Sequence, residues 1–246
     1  MAKEYSSISR VGTTEPFELQ ISRGQISYHT PLFKFGFNSV VSNTEETIWD
    51  AGGIYTYPSS ALAMTVTSAG GATDSGITVV VQGLDGNYLE VSEEVTLNAT
   101  GVATTTQTFL RIFRAYVSGG TEPTGNITIT NTATTYAQIT DGDHQTLMAV
   151  YTVPAGKTLY LNRGSISSGT EIANKYITGR LVTRLQGKIF RTQAKVTLAN
   201  GFIDFDWEVP LKLPEKTDIE ARAVASSAAN TAVSATFEGI LIDNAE

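Results

Sequence analysis

Residues 77–97 alternate apolar and polar side chains on both sides of a short polar turn, and this pattern restricts the possible folds more than any other in the chain. Val79 and Val81 share one face of the first run, and Val95 and Leu97 end the second. An Asp-Gly-Asn triplet separates the two runs. Alternation with period two indicates a half-buried strand, and two such runs around a Gly-containing turn indicate a β-hairpin. The segment therefore predicts a scaffold element and contains no obvious chemistry.

Similar runs, separated by turn signals roughly every 8–12 residues, continue along the chain and are typical of a β-sandwich or jelly roll. In residues 31–41, Phe33, Phe35 and Phe37 share one face of a predicted strand, and polar residues and a glycine occupy the other. Residues 104–120 fit a short helix by period alone, but their β-branched flanks and Gly-Gly stop favour a strand. The sequence therefore predicts an all-β protein.

Glu93 interrupts the pattern of the predicted hairpin. It falls in phase with Val91 and Val95, on the face where an apolar side chain is expected. We therefore expect either a β-bulge at this position or an interface partner for the carboxylate.

The chain has 246 residues, enough for one large β-domain or two ordinary ones. Residues 1–30 are polar with only short apolar pieces, and we expect them to form an extended N-terminal arm. The polar segment 140–145 separates two strand-rich blocks, each of ordinary domain size. We predict two β-sandwich or jelly-roll-like domains, the first at 31–140 and the second at 146–246.

The composition argues against several classes of function. The chain has no cysteine, which excludes disulfides, thiolate metal sites and a cysteine nucleophile. Its net charge of −7 argues against a nucleic-acid partner, because phosphate binding needs clustered Lys and Arg. The sequence shows no apolar signal-peptide core and no run of about 20 apolar residues. We therefore expect no membrane partner and folding in a cytoplasm.

Two motifs superficially suggest ligand binding. The segment PAGKT (154–158) resembles part of a phosphate loop, but the glycine required five positions before Gly156 is Tyr151. The expected strand–turn–strand context also provides no helix N-terminus for a phosphate. Asp141, Asp143 and His144 could bind a cation, since two carboxylates two residues apart can share one hard ion, but the later ligands of a calcium loop are missing and we favour a solvated linker. We predict no cofactor and no metal.

Candidates for catalysis are few. His29 and His144 are the only histidines, and they fall in the predicted arm and linker, which are poor places to preorganise a site. One predicted strand places three carboxylates on a common face, as a glycosidase pair would be arranged: Asp204, Asp206 and Glu208. Trp207 lies among them and could contact a sugar. We favour an edge strand guarded by acids and predict no enzymatic activity, with a carbohydrate-binding module or glycosidase as the alternative.

Three segments taken together resemble structural proteins of tailed bacteriophages: FKFGFNSVVSNTEETIWDAGGIYTYP, VVVQGLDGNYLEVSEEVTLNATGVATTTQTFLRIFRAYV and YTVPAGKTLYL. The similarity is to virion proteins often found in phages of marine bacteria. It covers most of residues 33–160 and, more loosely, the rest. Its more specific parts are residues 49–53 (WDAGG) and 82–86 (QGLDG). The resemblance implies a capsid or tail component, for which a capsid decoration or cement protein is one role.

We therefore expect a non-enzymatic virion protein, assembled in the host cytoplasm, that decorates the capsid and stabilises the head. Its expected partners are further copies of itself, as a homotrimer, and the major capsid protein or other virion proteins. A tail, connector or fibre subunit is the alternative within the virion.

The predicted arm contains four apolar residues that suggest a protein interface: Phe17, Leu19, Ile21 and Ile26. They are too many for a purely solvated tail and too few to add much core. Because residues 17–22 (FELQIS) alternate, we expect them to add a strand to an exposed sheet edge of a neighbouring protein.

Overall fold

The computed structural model describes residues 15–169, 175–226 and 231–244. Regular structure in these ranges is almost entirely β, so the predicted all-β class is confirmed. The helical elements are α1 (Phe17–Ser22) and a 3₁₀ helix (Gly71–Asp74). The strands in chain order are β1 (His29–Val41), β2 (Glu46–Thr47), β3 (Leu62–Ser68), β4 (Thr78–Leu84), β5 (Glu90–Thr96), β6 (Val102–Phe109), β7 (Arg111–Val117), β8 (Ile127–Asn131), β9 (Thr134–Ile139), β10 (Val150–Thr152), β11 (Lys157–Gly169), β12 (Ile177–Leu185), β13 (Arg191–Leu198), β14 (Gly201–Leu213), β15 (Thr217–Ala225) and β16 (Thr231–Asp243).

Strands from the two ends of the described chain form one β-sandwich, here called the terminal sandwich. Its front sheet has the strand order β1-β16-β11-β14, and its back sheet has the order β10-β15-β12-β13, with β2 added beside β15. Leu159 and Phe237 of the front sheet pack with Ile219 and Ala223 of the back sheet in one buried core. The apolar members of each strand face inward because successive side chains point to opposite faces of a sheet.

Strands β3 to β9 form a second sandwich, here called the central sandwich. Its sheets have the orders β6-β3-β8-β9 and β5-β4-β7. Met64 and Ile129 from one sheet pack with Val79, Val81 and Ile112 from the other, and all five side chains are buried. The protein thus has one core in each sandwich.

The hairpin predicted at 77–97 is confirmed as the pair β4 and β5, with Val79 opposite Val95. One carboxylate oxygen of Asp85 accepts hydrogen bonds from the backbone N–H of Asn87 (2.8 Å) and of Leu89 (2.9 Å). This side chain closes the turn, as expected for Asp at the start of a tight turn.

Glu93 has partners inside its own chain, the expectation of a bulge at this position is wrong, and an interface partner stays a prediction. The β4–β5 register runs unbroken through Glu93, and the irregularity lies in β6, opposite the β3 segment between Ala63 and Thr65. The Glu93 carboxylate accepts hydrogen bonds from the backbone N–H of Thr106 (2.8 Å) and of Gln107 (2.7 Å). Glu93 thus satisfies donors that the bulge in β6 removes from the ladder.

The single strand expected over 104–120 is instead two strands that belong to different sheets. β6 pairs with β3 and β7 pairs with β4, and the chain changes sheet at Leu110. The Leu110 backbone N–H donates to the Leu84 carbonyl at 2.8 Å, which fixes the corner.

β1 lies in the terminal sandwich, where it pairs antiparallel with β16 from His29 opposite Ile242 onward. The predicted linker at 140–145 is hydrogen-bonded to the central sandwich, since the Val117 backbone N–H donates to the His144 carbonyl at 2.9 Å. The division into domains at 31–140 and 146–246 stays a prediction. A cut at this linker would separate β1 from its partner strand.

Candidate functional site

A cluster of buried charges lies where the two sandwiches meet, on the outer face of the back sheet. Alternation along β15 places Asp218, Glu220 and Arg222 on this face, and residues 45–58 cover it. Arg111 reaches the cluster from β7 of the central sandwich. We call this group, with its partners below, the junction network.

Asp218 holds the two sandwiches together. Its carboxylate accepts hydrogen bonds from Arg111 Nε at 2.8 Å and from Arg184 Nε at 3.0 Å, and Thr152 Oγ1 donates to it at 2.7 Å. Arg111 belongs to the central sandwich, whereas the other three residues belong to the terminal sandwich. Asp218 is almost inaccessible to solvent, so these charge-assisted contacts are little screened.

Glu220 is fully buried and equally well supplied with donors. Arg222 donates to it through Nε at 2.8 Å and Nη2 at 3.0 Å, and Thr47 donates through Oγ1 at 2.9 Å. Arg222 also donates through Nη1 to Glu45 at 3.3 Å, and Arg180 forms an ion pair with the same carboxylate. The network therefore continues to the rim of the back sheet.

Two aromatic rings separate the guanidinium groups. Tyr57 has Arg111 at 4.8 Å and Arg184 at 4.5 Å from its ring centroid. Phe190 has Arg184 at 4.5 Å and Arg222 at 4.4 Å. Such cation–π contacts are strongest where water is excluded, and they let several like charges lie close together.

The pKa shifts in the junction network keep its cations charged. Burial alone would lower the pKa of Arg111, but the hydrogen bonds and charge of Asp218 outweigh it and hold that pKa above its ordinary value. Glu220 does the same for the pKa of Arg222. Burial, followed by the charges of Glu220 and Asp218, raises the pKa of Tyr57 well above its usual range. With its carboxylates saturated by donors from the same chain, the network is suited to structure and offers no free acid or base.

Two titratable groups near the junction, the half-buried Asp50 and the buried Lys34, make no ion pair in the described ranges. The Asp50 carboxylate accepts the Leu147 backbone N–H, and burial, with the nearby charge of Asp143, raises its pKa to about 7. The Lys34 amine donates to the Phe113 carbonyl, and burial, with the nearby Arg114, lowers its pKa to about 7.

The residues proposed for a carbohydrate site do not come together. β14 is an edge strand, as predicted, and the carboxylates on its outer face are exposed: Asp204, Asp206 and Glu208. Trp207 points the other way and lines a small cavity of about 30 Å³ inside the sandwich, beside Ile166 and Phe205. A sugar on the acidic face would therefore not reach the indole ring.

The remaining candidate motifs are in turns and strands. Residues 154–157 form a turn between β10 and β11, with Gly156 at φ +74°, and no helix follows. His29 begins β1, and His144 lies in the hydrogen-bonded segment that follows Asp143. Within the described ranges, no three His, Cys, Asp or Glu side chains are grouped as a metal site would require. No described helix has the length and apolar character to cross a membrane.

Residues 17–22 form the helix α1, so the predicted strand is wrong here. The helix starts after Pro16, and Ile21 is buried against the body of the protein while Phe17 and Leu19 stay exposed. Ile26 is half-buried in the following turn. With Ile21 occupied inside its own chain, only Phe17 and Leu19 are freely accessible. The interface role of the four residues stays a prediction, and the predicted arm residues 1–14 lie outside the described ranges.

The aromatic side chains of β1 share one face, as predicted, and that face points outward. The inner positions are Lys34, Gly36 and Asn38, all buried. A Cβ at Gly36 would lie 2.2 Å from the Ile48 carbonyl oxygen, so only glycine allows this close approach. Phe33 and Phe37 are exposed and Phe35 is half-buried. With Phe17 and Leu19 of α1, these phenylalanines form what we call the β1 surface.

A scan against known protein families and a search of curated proteins both find no match. Among solved structures, the chain is similar to the VP2 subviral particle of infectious bursal disease virus, with 12% identity and a TM-score of 0.25 over 88% of this chain and 72% of that one. It is also similar to T=1 particles derived from infectious bursal virus, with 14% identity and a TM-score of 0.27 over 88% and 70%. Both scores are low.

Proposed function

We propose that this protein is a non-enzymatic structural component of a virion, most specifically a decoration or cement protein on the capsid of a tailed bacteriophage. The observation that carries the proposal is the junction network, which fixes two β-sandwiches to each other through Asp218 and Arg111 and leaves no free carboxylate there. A subunit that must keep one shape between repeated neighbours needs such rigidity. The sequence resemblance over residues 33–160 supports a tailed bacteriophage as the particle to which the protein belongs.

The β1 surface supports the same role from the outside of the molecule. It presents three partly exposed rings to solvent, with Phe17 48% exposed, Phe33 59% and Phe37 37%. Exposed apolar patches of this kind mark interaction sites on proteins that work in assemblies. A groove of about 470 Å³ between α1 and the front sheet, lined by Leu32 and Ile240 among others, adjoins it.

The proposed partners are further copies of the chain, most specifically in a trimer, and the major capsid protein or another virion protein beneath it. Trimers match the local three-fold positions of icosahedral shells. A tail, connector or fibre subunit is the alternative within the particle, since the same rigid body and the same surface would suit it.

The decisive experiment is electron microscopy of purified virus particles labelled with antibody against this protein. We expect label over the whole head surface. Label confined to the tail, connector or fibres would replace decoration by the alternative, and absence from purified particles would reject the virion role.

A matched pair of variants tests the β1 surface. Phe33→Ser with Phe37→Ser should reduce incorporation into particles at least tenfold and leave the melting temperature of the free protein nearly unchanged, because both side chains are exposed. Leu89→Ser, which alters an equally exposed side chain at the β4–β5 turn, should incorporate like the wild type. If the double variant incorporates as well as Leu89→Ser and the wild type, the β1 surface is not needed for assembly and leaves the proposal.

A further inference from the structure

The edge of the terminal sandwich formed by β13, β14 and the β12–β13 turn has the most exposed apolar side chains of the described chain. Val209 is 83% exposed, Ile189 78% and Phe202 64%, each more than any other large apolar residue in those ranges. We call this region the β13–β14 flank. It lies on the edge opposite β1, so it is separate from the β1 surface.

The flank leaves the sandwich core partly open. β13 ends the back sheet and β14 ends the front sheet, so each strand has one edge without a hydrogen-bonded neighbour. Between them, Ala194, Val196 and Phe205 line the small internal cavity and are only half-buried. A further strand would pair with these unpaired edges and cover the half-buried apolar residues beside them.

The charges of the flank are arranged largely by sign, and most of them make no ion pair in the described ranges. The cations lie on β13, on the turn before it and at the end of β14: Lys188, Arg191, Lys195 and Lys212. The anions lie on the first part of β14: Asp204, Asp206 and Glu208. Of these seven side chains, only Asp206 makes an ion pair in the described ranges, with Arg163 at 3.7 Å.

We infer that the β13–β14 flank binds a second copy of this chain, with β13 of one copy beside β14 of the other. Lys195 lies three residues before the end of β13, and Asp204 lies three residues after the start of β14. Both side chains are on the outer faces of their sheets, since Lys195 pairs across from Arg180 and Asp204 from Ser165. In the paired edges they would be direct neighbours of opposite charge.

The same spacing fixes the symmetry. β13 and β14 run antiparallel on either side of one turn, so Lys195 and Asp204 lie at the same height along the strands. A rotation axis parallel to the strands keeps that height and brings β13 beside an antiparallel β14 from the next copy. A two-fold axis perpendicular to the sheets would instead bring β13 beside β13 and β14 beside β14, so it would not pair Lys195 with Asp204. Rotation about a parallel axis closes a ring of two or three copies, and the proposed trimer is one of these.

A second copy fits this flank better than a different protein would. Charges on an edge strand discourage pairing with unrelated strands, and β14 has three acids and Pro210. This penalty disappears when the partner strand carries cations at the same spacing, and β13 of this chain is such a strand. Both halves of the complementary pair thus belong to one sequence. The inference deepens the proposed function by naming a contact between subunits.

A charge exchange tests the pairing through the mass of the full chain in sedimentation equilibrium. Lys195→Glu and Asp204→Lys should each weaken association at least tenfold, because each places like charges opposite one another. The double variant should return to within about threefold of the wild type. Glu94→Lys changes an exposed acid on β5 that makes no ion pair with the described residues; it is the matched control and should associate like the wild type.

An engineered disulfide tests the register, and the chain has no cysteine of its own to interfere. Within one molecule, positions 195 and 204 are on outer faces of opposite sheets, farther apart than the roughly 7 Å that a disulfide spans between Cα atoms. Lys195→Cys with Asp204→Cys should therefore form reducible dimers or trimers and no larger series. Lys195→Cys with Glu94→Cys should stay monomeric under the same oxidation.

A wild-type chain that stays monomeric at about 100 μM, or an exchange series in which all variants associate equally, overturns the inference. Particle labelling is a separate measurement. A monomeric protein that still labels phage heads would reject the flank contact and keep the proposed function, whereas a ring-forming protein absent from particles would do the reverse.

Discussion

The junction network lies on the outer face of the back sheet, whereas the β13–β14 flank is one edge of the same sandwich, and the charges of the two regions are paired to very different extents. At the junction, Asp218 and Glu220 are buried and each receives several donors from the same chain. On the flank, Lys195 and Arg191 are exposed and make no ion pair in the described ranges. A buried charge without a partner costs several kcal/mol, whereas an exposed charge costs almost nothing. The junction is therefore complete in one copy, and the flank offers charges that a second copy can pair.

The strongest test of this contrast removes a junction carboxylate. Asp218→Asn leaves Arg111 and Arg184 buried without their counter-charge, so we expect the free energy of unfolding to fall by about 3–5 kcal/mol. Urea denaturation measures this, with Asp204→Asn on the flank as the matched control, expected within about 0.5 kcal/mol of the wild type. Equal small losses in both variants would mean that the junction charges are dispensable.

The pH dependence of stability distinguishes Asp218, which has two arginine partners, from Asp50, a half-buried carboxylate that makes no ion pair in the described ranges. Asp50 has a folded pKa of about 7, above its unfolded value, so its protonated form favours folding. Its contribution is complete below about pH 4 and is lost as the pH rises towards 7, by about 2 kcal/mol after allowance for partial exposure. Denaturation between pH 4 and pH 8 measures it.

Asp50→Asn should abolish this component, because the amide oxygen still accepts the Leu147 N–H and does not titrate in this range. A variant whose stability falls over pH 4–7 as much as that of the wild type would show that another group is responsible.

Glu93 is a third kind of carboxylate, partnered in the described ranges by two backbone N–H groups and the Thr106 hydroxyl and by no cation. Burial would raise its pKa, but the donors from Thr106 and Gln107 lower it overall, so the charged form is favoured. Glu93→Gln weakens these bonds, and we expect a loss of about 1–2 kcal/mol in urea denaturation. Glu94→Gln on the same strand faces solvent and should have no measurable effect. A loss of unfolding free energy as large as that of Asp218→Asn would show that the arginine partners of Asp218 stabilise the fold no more than the uncharged donors of Glu93 do.

The smallest effect is expected on the flank itself. Lys195→Met should change the unfolding free energy of the isolated chain by less than about 0.5 kcal/mol at low protein concentration, since the amine has no partner there. Thermal melts at 1 μM and 100 μM would separate the folding of one copy from association. A large loss of unfolding free energy at 1 μM would show that Lys195 has a stabilising partner within its own chain, as the junction charges have.

Local patterns predicted the parts of the fold that local interactions determine. The hairpin around Asp85 could be predicted because alternation and turn chemistry agree within 21 residues. The edge position of β14 could be predicted because three acids on one face are unsuited to burial. In α1, six alternating residues were too few to distinguish a strand from a helix that buries Ile21.

The junction network could not be predicted in the same way. Arg111 lies two residues after Phe109 and two before Phe113, and an arginine in a predicted strand usually indicates a solvent-facing position. Its partner Asp218 is 107 residues away in sequence, and no local rule connects them. The direction of the Phe33 face was likewise not determined by alternation alone, because it depends on the close contact of Gly36 with Ile48, which lies outside the strand.

The pairing of β1 with β16 also determines the order in which parts of the chain can fold during synthesis. About 190 residues separate Val41 from Thr231, which at typical elongation rates is roughly 10–40 s of translation. The central sandwich has its own core and its strands pair within 62–139, so it can fold while β1 still lacks its partner. We expect ribosome-stalled chains that end before residue 231 to show a protease-resistant central sandwich and a β1 that is still cleaved. The aromatic strand of this protein would thus be the part of the nascent chain that depends longest on protection by chaperones.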